Sequence, residues 1–171
     1  MLRLAGLLGI VIALGLLGIM KSQQLGARVK LLEDFLQMVL ELKGQISYFK
    51  EPLPAIFEKV KKKSDSKAFM LLNQSGEELR QKDAEIAQIW PKTVSENYKG
   101  QPLTKDDLEL FDYLGTFIGQ TDYDNHLFQF SYMEEKLNSQ INDSKNDLKV
   151  KGPMYRKIGF FLGAILAILF I

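Results

Sequence analysis

The chain has 171 residues, and its 22 basic and 21 acidic side chains leave a formal net charge of only +1. Such a balance gives no strong signal for nucleic-acid binding. The sequence contains no cysteine, which excludes disulfides and thiolate chemistry, and its single histidine leaves little for metal binding.

An apolar run without charged residues occupies residues 4–20, between Arg3 and Lys21. At about 1.5 Å per residue, it covers most of a hydrocarbon layer roughly 30 Å thick. A cleaved signal peptide would have a shorter apolar region and an A-x-A-like site, which is missing from residues 20–28. The run therefore predicts an uncleaved N-terminal transmembrane helix over residues 1–20.

The next segment, residues 21–49, predicts one long helix that continues out of the membrane. Its apolar residues recur every three or four positions, which keeps one face apolar. These residues are Leu25, Val29, Leu32, Leu36, Val39, Leu42, Ile46 and Phe49.

Pro52 and Pro54 end this helix, because proline restricts the residue before it and has no N–H to donate. Pro54 suits the first turn of a short second helix over residues 54–62. A third helix is predicted over residues 66–82, loosened near Ser75 and Gly76. A fourth is predicted over residues 83–98, where Pro91 should kink the helix or end its first half.

A fifth helix is predicted over residues 105–118, with Thr104 as its cap and two aspartates in its first turn. Gly119 should end it in a left-handed conformation. Thr121 then caps a sixth helix that starts at Asp122 and carries Asp124 at the position of a capping-box acid.

The sixth helix is predicted over residues 122–151, with its most polar part, residues 142–146, expected to fray. Gly152 and Pro153 predict a joint. A second apolar run, residues 158–171, is short for a membrane span, but extending it back to residue 154 gives about eighteen residues. The sequence therefore predicts a short C-terminal membrane helix over residues 154–171.

The fold class is therefore all-α, a helical bundle of about six helices with membrane helices at both ends. The bundle occupies residues 21–151. Lysine and arginine concentrate on its side of both apolar runs, with Lys21, Arg28 and Lys30 after the first and Arg156 and Lys157 directly before the second. The positive-inside rule then places the bundle in the cytoplasm and both termini outside.

Small residues recur at four-residue spacing in both apolar runs, which lets membrane helices approach closely. The first run has Ala5, Gly9 and Ala13, and the second has Gly159, Gly163 and Ala167. Because the two runs must be antiparallel, we expect Ala5 near Ala167, Gly9 near Gly163 and Ala13 near Gly159.

Residues with potential for chemistry are few. Asp122, Asp124 and His126 are the only group that resembles metal ligands, and only Asp122 and His126 can converge on a helix. A solvated helix start explains them better. No HExxH or Walker motif is present. We therefore expect no catalytic, cofactor or metal site, and no enzyme.

The arrangement resembles the stage III sporulation protein AB family over nearly the whole chain. Three stretches carry the resemblance: Ile46-Ser47-Tyr48 followed by Pro52-Leu53-Pro54, residues 103–122, and Met154-Tyr155-Arg156 before the last apolar run. The family is similar to the type II secretion inner-membrane platform protein F.

The resemblance implies a non-enzymatic membrane scaffold of the AA–AH secretion-like complex, in the mother-cell membrane around the forespore. Its implied partners are the cytoplasmic ATPase protein AA, other membrane proteins of the complex and membrane lipid. No nucleic acid and no small-molecule substrate is implied. Two other classes stay open at this point: an unrelated membrane-anchored signalling adaptor, and a membrane enzyme with acidic chemistry.

Overall fold

The computed structural model describes residues 2–48, 51–81, 85–119 and 123–169, and all regular secondary structure in these ranges is α-helical. The helices are α1 (Leu2–Tyr48), α2 (Leu53–Lys61), α3 (Lys67–Gln81), α4 (Ile86–Tyr98), α5 (Lys105–Phe117) and α6 (Tyr123–Leu169). The predicted all-α fold is confirmed.

The chain divides into two compact units. One unit, called here the anchor unit, contains Met1–Val29 and Asn142–Ile171, and the other, the helical domain, contains Lys30–Ile141. The long helices α1 and α6 contribute residues to both units. The membrane boundaries expected at residues 20 and 154 stay predictions.

Aromatic side chains fill the core of the helical domain. Phe35 of α1 stacks on Phe111 of α5, with ring centroids 3.7 Å apart and planes 4° from parallel. Trp90 of α4 is 0% exposed, and its Nε1–H donates to the Phe111 carbonyl at 2.8 Å. Phe117 and Phe130 meet edge to face, which packs α5 against α6. The core therefore joins the apolar stripe of α1 to helices distant in sequence.

The N-terminal ends of helices α2 and α5 agree with the local sequence signals. The Pro52 carbonyl accepts the Ala55 N–H at 2.9 Å, and Pro54 lies in the first turn of α2. At α5, the Asp107 N–H donates to Thr104 Oγ1 at 3.2 Å, and the Thr104 N–H donates to Asp107 Oδ2 at 2.8 Å. The predicted Thr104 cap is thus confirmed as a reciprocal capping box.

Several expected interruptions are wrong. Helix α3 continues through Ser75 and Gly76, both of which are buried, and a Cβ on Gly76 would lie 3.6 Å from the Phe57 side chain. Helix α6 continues through Gly152 and Pro153, where a joint was expected, and through residues 142–146. Contacts with a neighbouring helix accompany the continuous helix at both glycines, with Phe57 of α2 at Gly76 and with Ser22 of α1 at Gly152.

Candidate functional site

The apolar ends of α1 and α6 approach at backbone distance within the anchor unit. A Cβ on Gly159 would lie 2.5 Å from the Leu14 carbonyl oxygen and 3.2 Å from Gly18 Cα. A Cβ on Gly163 would lie 2.8 Å from Val11 Cα. Side chains at these two glycines would therefore clash with backbone atoms, so their small size is what permits the helices to touch.

The partners of these glycines differ from the expected ones. Gly163 faces Val11 where Gly9 was expected, a register shift of two residues. Gly9 and Ala13 are exposed, with nothing within 4 Å of a Cβ on Gly9. Ala167 is half-buried.

The side chain of Ala5 lies outside the described residues, so the pairing of Ala5 with Ala167 stays a prediction. Of the six expected packing residues, the structure brings Gly159 and Gly163 into the α1–α6 contact.

Sequence reasoning missed the residues of α1 that form this contact. A Cβ on Gly18 would clash with the Tyr155 backbone. Farther along the helices, a Cβ on Gly152 would lie 3.2 Å from Ser22 Oγ, and one on Gly26 would lie 4.0 Å from the Leu148 side chain. The signal was present, because Gly18, Ser22 and Gly26 also repeat every four residues.

The outward faces of the same helix segments are apolar. Two stretches, Gly9–Ile46 and His126–Leu169, are long and apolar enough to cross a membrane. Their exposed apolar side chains in the anchor unit include Ile12, Leu16, Leu17 and Met20 on α1, and Phe160, Phe161, Leu162, Ile165, Ile168 and Leu169 on α6. Such a surface is costly in water and suits a hydrocarbon layer.

Gly119 follows the end of α5, but its role differs from the expected one. Among the described residues, the one glycine with a positive φ is Gly100, at 74°, so Gly119 is not left-handed. A Cβ on Gly119 would instead lie 2.5 Å from Ile86 Cγ2. Gly119 also lines, together with Pro54, a cleft of about 610 Å³. Thr121 and Asp122 lie outside the described residues.

A second surface feature is a groove of about 670 Å³ between α5 and α6, called here the α5–α6 groove. Phe128 and Tyr132 line it and are 68% and 42% exposed. Lys136 Nζ lies 5.5 Å from the centroid of the Tyr132 ring. Asp106, Glu109, Leu110, Tyr113, Gln129 and Gln140 complete its lining. The groove therefore combines exposed aromatic side chains, which are enriched in protein interfaces, with two acidic residues and one lysine.

Asp112 lies on the same helix as the acidic side of this groove. Partial burial, and then the neighbouring Glu109 carboxylate, raise the pKa of Asp112 above its ordinary value of 3.8. Its Oδ1 is buried without a hydrogen-bond partner among the described residues. The ionised form of Asp112 therefore weakens the fold.

No group of three or more potential metal ligands occurs within residues 2–48, 51–81, 85–119 and 123–169. His126, which was expected at a solvated helix start, is buried at 4% exposure, with its ring centroid 6.2 Å from that of Phe117. His126 is thus placed as a core residue.

Comparisons with known proteins agree on one relationship. The family model described as stage III sporulation protein AB matches residues 3–171. A solved structure described as stage III sporulation protein AB has a similar fold, with a TM-score of 0.65 and 15% sequence identity. That match covers 71% of this chain and 96% of the other chain. No curated protein sequence matches.

Proposed function

Because the chain belongs to the stage III sporulation protein AB family, we propose that it is a non-enzymatic membrane scaffold of the AA–AH sporulation complex. In this role it docks the cytoplasmic ATPase protein AA and contacts other membrane proteins of the complex. The family match supports the proposal because it extends from residue 3 to residue 171. It therefore includes both apolar segments and the helical domain between them.

The paired apolar helices support the membrane part of the proposal. Gly159 and Gly163 let α1 and α6 associate at backbone distance, while large apolar side chains remain exposed on both helices. The basic residues on the domain side of both helices favour a cytoplasmic helical domain. The membrane is that of the mother cell, around the forespore.

The α5–α6 groove is the observation that carries the docking part. Exposed aromatic residues contribute strongly to protein interfaces, and Phe128 and Tyr132 are one helical turn apart on α6. Asp106 and Glu109 lie on the α5 side of the groove. A helix of the ATPase with an apolar face and a basic flank fits this surface.

The docking test uses the full chain in lipid nanodiscs and purified ATPase protein AA. The double variant Phe128→Ala/Tyr132→Ala should raise the Kd about 30-fold or more, as expected for aromatic residues central to an interface. The matched control is Leu40→Ala/Met70→Ala, since both residues are exposed apolar side chains of the same domain, 42% and 51% exposed. Absence of wild-type binding would refute ATPase docking. Equal effects of the two double variants would refute the groove as its site.

The orientation test uses the natural absence of cysteine. Ser95 is exposed on α4, so Ser95→Cys introduces a single accessible thiol in the helical domain. A membrane-impermeant thiol reagent should label it after lysis of mother cells and leave it unlabelled in intact ones. Labelling in intact cells would contradict a cytoplasmic domain.

A further inference from the structure

The helix pair of the anchor unit continues beyond its apolar part into a segment with a strong positive charge. This segment, called here the basic stem, consists of residues 21–29 of α1 and 142–157 of α6. Within it, Gly152 lies close to Ser22, and Gly26 lies close to Leu148, so the two helices remain in contact. The stem is therefore an ordered pair of helices.

The basic stem differs in charge from the rest of the chain. It contains seven basic residues, Lys21, Arg28, Lys145, Lys149, Lys151, Arg156 and Lys157, and two acidic ones, Asp143 and Asp147. Its net charge is thus +5, whereas the whole chain carries +1 and the remaining residues −4.

Most of this positive charge is available to a ligand. Lys21, Lys149, Arg156 and Lys157 are exposed, and none forms an ion pair with any residue in the described part of the chain. Lys151 pairs with Asp147 at 2.8 Å, one turn away on the same helix. An exposed ion pair of this kind contributes little free energy, so Lys151 can exchange Asp147 for an anionic ligand.

The four unpaired cations lie next to the apolar surface of the helices. Lys21 follows Met20 directly, and Lys157 precedes Ile158. Lys149 is eight residues before Lys157, about 12 Å along a helix at 1.5 Å per residue. Lys21, Arg156 and Lys157 therefore lie at the edge of the apolar surface, and Lys149 lies about two helical turns farther from it.

We infer that the basic stem binds the phosphates of anionic phospholipids in the leaflet on the domain side of the membrane. Clusters of four to eight lysines and arginines beside a membrane helix attract such lipids, and phosphate accepts hydrogen bonds from both side chains. The apolar helix surface fixes the depth of the stem, so its cations lie among headgroups. The inference rests on the membrane-anchoring part of the proposed function and is independent of ATPase docking.

The test measures which lipid stays with the full chain. The protein is reconstituted in vesicles of equal phosphatidylglycerol and phosphatidylcholine, extracted in neutral detergent and captured, and the retained lipid ratio is measured by mass spectrometry. The wild type should retain phosphatidylglycerol at several times its share in the vesicles. At about fivefold in affinity per basic residue, replacing Lys21, Lys149, Arg156 and Lys157 together by glutamine should return the ratio to that of the vesicles.

The matched control is the quadruple glutamine variant of Lys62, Lys67, Lys92 and Lys99. These lysines are exposed, lie outside the stem, and their replacement removes the same charge. The control should retain the wild-type lipid ratio, and both variants should keep wild-type helicity by circular dichroism.

Each remaining outcome has a separate meaning. A wild-type ratio equal to that of the vesicles, or equal ratios for the two quadruple variants, would overturn the inference. Flotation with pure phosphatidylcholine vesicles is measured in parallel. If the chain does not float with them, the anchoring itself is wrong, which is a different failure.

Discussion

The close contact between Gly115 and Trp90 gives a sharp test of the core of the helical domain. A Cβ on Gly115 would lie 2.6 Å from Trp90 Cβ and 2.7 Å from its Cγ, closer than carbon atoms approach in folded proteins. In Gly115→Ala, Trp90 must therefore move, although it is fully buried and its Nε1–H donates to the Phe111 carbonyl.

The expected loss of stability follows from three contributions. Overpacking of a filled core costs about 1–3 kcal/mol. Loss of the hydrogen bond of a buried N–H costs about 1–3 kcal/mol more, while alanine gains about 1 kcal/mol over glycine in a helix. Gly115→Ala should thus lower the free energy of unfolding by about 1–5 kcal/mol, and Tm by about 10 °C at the middle of this range.

The assay is thermal unfolding of the full chain in neutral detergent, followed by the fluorescence of Trp90, the single tryptophan. The control is Gly44→Ala in α1, because nothing lies within 4 Å of a Cβ on Gly44. This control should melt at or slightly above the wild-type temperature, through helix propensity alone. If Gly115→Ala melts like the control and its emission maximum is unchanged, the close packing described for Trp90 is wrong.

Three further predictions concern the anchor unit and the α5 helix. A cysteine pair at Val11 and Gly163 should crosslink in membranes faster than a pair at Gly9 and Gly163, and the reverse order would contradict the observed register. Gly119→Val should lower the free energy of unfolding by about 1 kcal/mol or more through the clash with α4, measured by urea unfolding. Since the pKa of Asp112 is raised by burial, the domain loses stability as the pH rises through that pKa. Asp112→Asn should therefore raise Tm at pH 7, with a gain that disappears as the pH approaches 3.8, and a gain independent of pH would refute this origin.

Local signals in the sequence predicted the helices well. The Thr104 cap and the start of α2, predicted at Pro54 and observed at Leu53, depend on residues within one turn, so the sequence contains the whole interaction. Gly76 and Gly152 misled the prediction because glycine is an unfavourable residue inside a helix and therefore suggests a break. At both positions the helix continues, and the glycine contacts a residue of another helix: Gly76 contacts Phe57 of α2, and Gly152 contacts Ser22 of α1.

The packing register of the anchor unit shows the same limit. Four-residue spacing of small residues occurs on two faces of α1, one through Gly9 and Ala13 and one through Gly18 and Ser22. Spacing alone cannot choose between them. The choice depends on which face fits the partner helix, which is a property of the pair. The α5–α6 groove was missed for a similar reason, because its lining combines two helices.

Pro153 gives α6 an uneven bending stiffness. Helix α6 has 47 residues, and proline at this position removes one backbone hydrogen bond, the one that the Lys149 carbonyl would accept. A long helix bends most easily where a backbone hydrogen bond is missing, and prolines are the usual sites of helix kinks. A membrane helix adapts to changes in bilayer thickness by tilting. In a membrane, the turn around Pro153 would therefore be the first part of α6 to bend when the tilt of its apolar end changes.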